Sequence, residues 1–175
     1  MKNVFKTVGL IGKLKDPNVS KALLTIRDQL NARGIELLLY EKTAKHTPDH
    51  NMATAGIHEI GERCDLVIII GGDGTLLNAS RNLSSFDVPL AGINLGRLGF
   101  LVDISPQDIN EKLDEILSGE YVDEERLLLH AQVIRDGKLV MNADALNDVV
   151  IHKWEVARMI EFEISINGQH VNTHR

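Results

Sequence analysis

The pattern of apolar and polar positions changes its grammar once along this chain. From Phe5 to about Gly119, short apolar runs alternate with longer stretches of helical spacing. "FKTVGLIG" is apolar and β-like. In "DPNVSKALLTIRDQLNARG", Pro17 stands near a helix start, Ala22, Leu23, Ile26 and Leu30 recur at helical intervals, and Gly34 marks the stop. "IELLLY" predicts a second strand, and "MATAGIHEIGERC" a weaker helix. "DLVIIIGG" is an uninterrupted run of branched residues, the pattern of a strand buried on both faces. A short helix over about Thr75 to Asn82 and a strand in "VPLAGINLG" follow. "SPQDINEKLDEILSGE" then predicts a capped helix, with Ser105 ahead of Pro106 in the first turn and Gly119 at the end. Such alternation predicts an α/β N-terminal domain, residues 1–120, with a mostly parallel sheet covered by helices. Ligands of such sheets sit beyond the carboxyl ends of the strands, where the glycine turn after Ile70 falls.

After Tyr121 helical periodicity vanishes. "RLLLHAQVIRDGKLVMNADALNDVVIHK" contains a strand, an Asp-Gly turn and further strand. In "MIEFEISINGQHVNT", Ile160, Phe162, Ile164 and Ile166 share one face, Glu161, Glu163 and Ser165 the other, and Asn167-Gly168 is a two-residue hairpin signal. Residues 121–175 are therefore expected to begin an all-β second domain. About 55 residues of strand without a closing partner would leave exposed edges, which suggests a piece of a longer protein.

Composition narrows the classes without choosing among them. The chain has 175 residues, 43% apolar and 25% charged, as in an ordinary globular protein. Nineteen basic against 25 acidic residues give a net charge of −6, and no basic stripe is present. That argues against nucleic acid or an anionic membrane as a partner. The apolar run Leu66–Ile70 is far too short to span a bilayer, and the N-terminus lacks a secretory apolar stretch. A single cysteine, Cys64, excludes an internal disulfide and suits a reducing compartment, so a cytoplasmic location is expected. No metal ligands are assigned among the seven histidines.

The chemistry concentrates in "IIIGGDGTLLNASR", residues 68–81, where one carboxylate stands among glycines at a strand–helix turn. The glycines are expected to permit positive φ and to bring amide groups close to a ligand. The following helix adds unpaired N–H groups and the positive end of its dipole, a seat for phosphate. An acid in such a seat needs a neutral or cationic contact. Asp73 could take a proton from an attacking hydroxyl or hold magnesium, and either use suits phosphoryl transfer. The plainer reading is that Asp73 caps the helix and the glycines only make the corner. The pattern fits neither the Rossmann nor the Walker fingerprint.

"GGDGTLLNASR", "GINLGRLGFL", "LNDVVIH" and "MIEFEISING" together resemble bacterial NAD kinases over essentially the whole chain. The first of these is shared with diacylglycerol and sphingosine kinases; the other three are more specific. The resemblance implies an α/β domain followed by a β-rich domain, with the dinucleotide between them. It implies transfer of the terminal phosphate of ATP to the 2′-hydroxyl of the adenosine ribose of NAD, giving NADP, with Mg2+ or Mn2+ accompanying the donor. Asp73 would be the catalytic base and Gly74 would present its backbone to NAD. Asn147 and Asp148, read as lying mid-strand, match the family's Asn-Glu or Asn-Asp pair that binds NAD, though a polar turn would also explain them. Arg158 would line the dinucleotide site, where a surface arginine is the alternative. Arg175 would also face NAD. Phe100 could stack on a base or belong to the core. The family is commonly a homo-oligomer in full-length form.

Two other functions remain open at this point: a lipid kinase of the diacylglycerol type, and a non-catalytic dinucleotide-binding module. Relatives continue into a T-P-T-G-S-T-A-Y segment that builds much of the nucleotide pocket. The 175 residues by themselves are therefore expected to show little or no NADP formation in a coupled kinase assay, and robust turnover would refute this.

Overall fold

In a computed structural model, which describes residues 4–96, 99–102, 104–152 and 159–174, five strands form one sheet. They are β1 (Thr7–Gly12), β2 (Glu36–Tyr40), β3 (Ala53–Ala55), β4 (Leu66–Gly71) and β5 (Leu90–Asn94), in the order β3-β2-β1-β4-β5, and every pairing is parallel. The strand period of two sorts the side chains into two cores. Val8, Leu10, Leu37, Leu39, Leu66, Ile68 and Ile70 face one side. Ile11, Leu38, Val67 and Ile69 face the other.

Helices cover both faces. The apolar stripe of α1 (Pro17–Ala32), made of Val19, Ala22, Leu23, Ile26 and Leu30, closes the first core together with Ile109, Leu113 and Leu117 of α5 (Ile109–Ser118). Ile60 of α3 (Ile57–Arg63) and Ala79 and Leu83 of α4 (Asp73–Leu83) close the second. The Asp65 carboxylate accepts the backbone N–H groups of Lys6 and Thr7 at 2.8 and 3.0 Å, tying the starts of β1 and β4 together. None of these helices is long and apolar enough to cross a membrane.

The α/β expectation holds, with local corrections. "MATAGIHEIGERC" is not one helix. Ala53–Ala55 pairs with Leu38–Tyr40 as β3, and the helix begins only at Ile57. Three small residues carry little β signal of their own, and their place in the sheet comes from the neighbouring edge of β2. A single turn, α2 (Glu41–Ala44), follows β2 directly. The last helix starts at Ile109 rather than beside Pro106, because the Ser105 hydroxyl is engaged by the Asp108 and Gln107 side chains at 2.6 and 3.0 Å in a preceding turn.

Beyond Tyr121, which stacks on Phe5 at 5.9 Å, two antiparallel hairpins replace the helices. β6 (Leu129–Arg135) pairs with β7 (Lys138–Ala145), and β8 (Phe162–Ile166) with β9 (Gln169–His174). The turns carry positive φ at both central residues, 51° and 72° at Asp136-Gly137 and 51° and 78° at Asn167-Gly168. Those are the mirror-image turns that match strand twist. The β6–β7 hairpin touches α4. Ile164 and Ile166 remain exposed, so among the described residues nothing buries the apolar face of β8.

Ile68 is 1% exposed at the middle of the central strand. Ile68→Ala is expected to lower the unfolding free energy by about 2–5 kcal/mol, read by urea denaturation.

Candidate active site

The strand order fixes where a ligand can bind. From β1 the chain leaves through α1 on one face, and from adjacent β4 it leaves through α4 on the other. Neighbouring strands whose connections diverge open a crevice beyond their carboxyl ends. A cleft of about 160 Å³ lies there, lined by Lys13, Asp16, Gly71, Gly72, Asn94, Leu95 and Gly96.

The glycine turn is built by close approach. Gly71, Gly72 and Gly74 are not among the residues with left-handed φ, contrary to the expectation from the sequence. Gly71 ends β4 under the Thr75 side chain: a Cβ there would press on Thr75 Oγ1, lie 2.9 Å from Thr75 Cβ and 3.2 Å from Lys13 Cβ. Side chains on Gly72 and Gly74 would meet nothing within 4 Å, so these glycines leave the backbone bare on the open side. Gly72 is the N-cap of α4, and its carbonyl accepts Thr75 N–H at 2.9 Å. The N–H groups of Asp73 and Gly74 precede the first helical hydrogen bond and so have no partner within the helix.

Asp73 is the first residue of α4 and is half-buried. It is not the N-cap, and no side chain caps this helix. Its carboxylate turns instead to the loop after β5, where Oδ2 accepts Phe100 N–H at 2.9 Å and Oδ1 accepts Leu101 N–H at 3.2 Å. A carboxylate offers about four lone-pair sites, so acceptor capacity remains on both oxygens.

The opposite wall comes from the β1–α1 turn. Lys13 N–H donates to Ile70 O at 2.7 Å, which joins this wall to the end of β4. The Thr43 hydroxyl, 1% exposed, accepts Gly12 N–H at 2.9 Å and donates to Gly12 O at 3.2 Å. Lys13 Nζ pairs with Asp16 Oδ2 at 3.3 Å, and Asp16 Oδ1 caps α1 by accepting Asn18 N–H at 3.1 Å. The Asn18 backbone N–H, and secondarily Lys13, hold the Asp16 carboxyl below its usual range. The third wall is Asn94, 3% exposed. Its side chain accepts Gly96 N–H at 2.9 Å and donates to Val102 O at 3.3 Å. A lysine and two helix starts beside a bare backbone suit an anionic ligand, with one carboxylate at its edge. Nothing in the sequence alone singles out Lys13, Asp16 or Asn94. The available signal was a polar Lys-x-x-Asp-Pro turn directly after an apolar strand, which acquires meaning only once β1 and β4 are known to be adjacent.

The other sequence-predicted residues divide. Gly74 is exposed on the first turn of α4, next to Asp73. Asn147 and Asp148 are exposed but not mid-strand: β7 ends at Ala145, and they occupy the irregular stretch after it. Arg158 and Arg175 lie outside the described residues. Phe100 is 99% exposed, which corrects its reading as a core aromatic. Asn78 and Arg81 are exposed and bonded to each other at 3.3 Å on α4. His46 and His50, and His170 and His174, stand four apart, but the first pair spans a turn and the second lies on β9. No group of three metal-ligating side chains occurs among the described residues. Burial is the main cause that pushes the Cys64 thiol up to about 12, so it stays protonated and unreactive at neutral pH.

Comparison with known proteins decides the family. The family model for the ATP-NAD kinase N-terminal domain matches residues 8–121. The chain belongs to this family. An NAD kinase of Chromohalobacter salexigens is 48% identical over 171 residues, covering 98% of this chain and 58% of the relative. One of Nitrosococcus oceani is 45% identical over 175 residues, covering 100% of this chain and 60% of the relative. The chain therefore spans about three-fifths of the length of the curated relatives it matches. A crystal structure of yeast NADH kinase complexed with NADH superposes with a TM-score of 0.78 at 21% identity, over 98% of this chain and 55% of that one, and shares the fold.

The β1 wall gives its own test. Thr43→Val removes a buried hydroxyl and strands Gly12 N–H, with an expected loss of about 1–3 kcal/mol in denaturant unfolding.

Proposed function

We propose that this chain is the acceptor-activating part of an NAD kinase. In this reading the 2′-hydroxyl oxygen of the adenosine ribose of NAD attacks the terminal phosphorus of ATP. The bond from that phosphorus to the bridging oxygen breaks, ADP departs, and the hydroxyl proton passes to the Asp73 carboxylate and on to solvent. The observation that carries the reading is a half-buried carboxylate on the first turn of α4, next in sequence to Gly72, which lines the switch-point cleft, in a chain of this family. A sugar hydroxyl is a poor nucleophile at neutral pH, so a positioned base contributes about 10²–10⁴-fold. Nothing in the matches favours a lipid kinase or a non-catalytic module.

Gly74 would offer its backbone to NAD, and Asn147 and Asp148, in the stretch that follows β7, would hydrogen-bond the dinucleotide. Arg158 and Arg175 would complete the NAD site. Mg2+ or Mn2+ would arrive on the donor's phosphate oxygens, since the described residues form no three-ligand cation site of their own. Residues 1–120 would be the α/β kinase domain and residues 121–175 the opening of a β-rich one. The assembled protein would be a cytoplasmic homo-oligomer acting on NAD and ATP, without nucleic acid or membrane partners.

Turnover is best measured with residues 1–175 joined to the C-terminal remainder of one of the relatives. Asp73→Asn should bind NAD normally in calorimetry and lose about 10²–10⁴-fold in kcat. Unchanged turnover, or phosphorylation of lipid in place of NAD, would overturn the reading.

A further inference from the structure

Gly99 lies directly against the Asp73 carboxylate. A Cβ built on it would press on Asp73 Oδ1 and lie 2.7 Å from Cγ and 2.8 Å from Oδ2. Gly99 is not among the residues with left-handed φ, so the demand for glycine there comes from contact and not from backbone conformation. The next two residues complete the grip. Phe100 N–H and Leu101 N–H donate to the two oxygens of the same carboxylate, across 27 and 28 residues of sequence. Three consecutive residues of one loop therefore define where the Asp73 carboxylate lies, from outside the helix that carries it.

The alternative position for that carboxylate is local. An aspartate in a first turn can bend back to the free N–H groups of its own helix, which is how short acidic side chains are satisfied at such termini. In that position it would cap α4 and turn away from the 99–101 loop. The loop supplies two competing N–H donors and, at Gly99, the space that makes them reachable.

We propose that Gly99 is a positioning residue: through its bare Cα and the two amides that follow, the 99–101 loop holds Asp73 in the rotamer from which it receives the acceptor's proton. The inference rests on the reading of Asp73 as the base. An added methyl would meet the end of a short, rotatable side chain, not backbone. The carboxylate swings away, the fold is kept and the chemistry is lost.

The test is a double-mutant cycle in the same joined protein. Gly99→Ala should lower kcat by at least tenfold, toward the roughly 10²-fold that a misplacement of about 1 Å costs. KM for NAD should stay within about twofold, because ground-state binding is untouched. In an Asp73→Asn background the same change should cost almost nothing further, since it acts only through the carboxylate. Full kcat in Gly99→Ala, with Asp73→Asn impaired, overturns the positioning role alone, and so do fully additive losses. Full turnover in Asp73→Asn overturns both the base and its positioning. Should Gly99→Ala melt early, the Asp73→Ala/Gly99→Ala pair decides. Recovery of the melting temperature supports the contact, and failure to recover rejects it.

Discussion

A central strand that shows no side chain to water cannot carry chemistry along its length. Every residue of β4, from Leu66 to Gly71, is buried, with alternate side chains committed to opposite cores. The polar groups that such a strand excludes can appear only past its end, and that is where Gly72, Asp73 and Thr75 stand. The same holds for β1, buried from Val8 to Gly12 and followed at once by Lys13. Two greasy strands side by side thus force their first hydrophilic residues into one place, and the cleft between them is a result of the core.

The rim is then fixed by close contacts at three glycines. Thr75 lies on Gly71, Thr43 holds both backbone groups of Gly12, and Asp73 lies on Gly99. Each contact joins two elements: β4 to α4, β1 to α2, and α4 to the loop after β5. Much of the cleft wall is backbone, held by the Thr43 hydroxyl on one side and the Asn94 side chain on another. A site built this way keeps amides near the ligand and leaves few side chains that a sequence motif would advertise.

That is also why the sequence disclosed some parts and hid others. The long apolar stripe of α1 and the branched run of β4 are strong periodic signals, and both elements came out as expected. Ala53–Ala55 carries no such signal and becomes a strand only because β2 presents an unpaired edge. Asp73 was legible because a lone acid among glycines is unusual. Its partners were not, since Phe100 and Leu101 contribute backbone groups that no side-chain pattern encodes. The glycines misled in a specific way: their rarity of side chain suggested turns of unusual φ, whereas Gly71 serves a neighbouring threonine. Asn147 and Asp148 looked like strand because β7 runs up to them, and the strand stops two residues short of Asn147.

The Asp65 staple, which joins Thr7 to a residue 58 positions later, marks how far apart in the chain the two cleft walls originate. No peptide from either half could form the seat, and closing so long a loop is the slow part of building a parallel sheet. A molecule gripping both walls would find its partner only in the folded chain. Occupancy and global stability would then be linked by mass action, so that such a molecule, at concentrations above its dissociation constant, would become one of the forces that keep the first and fourth strands together.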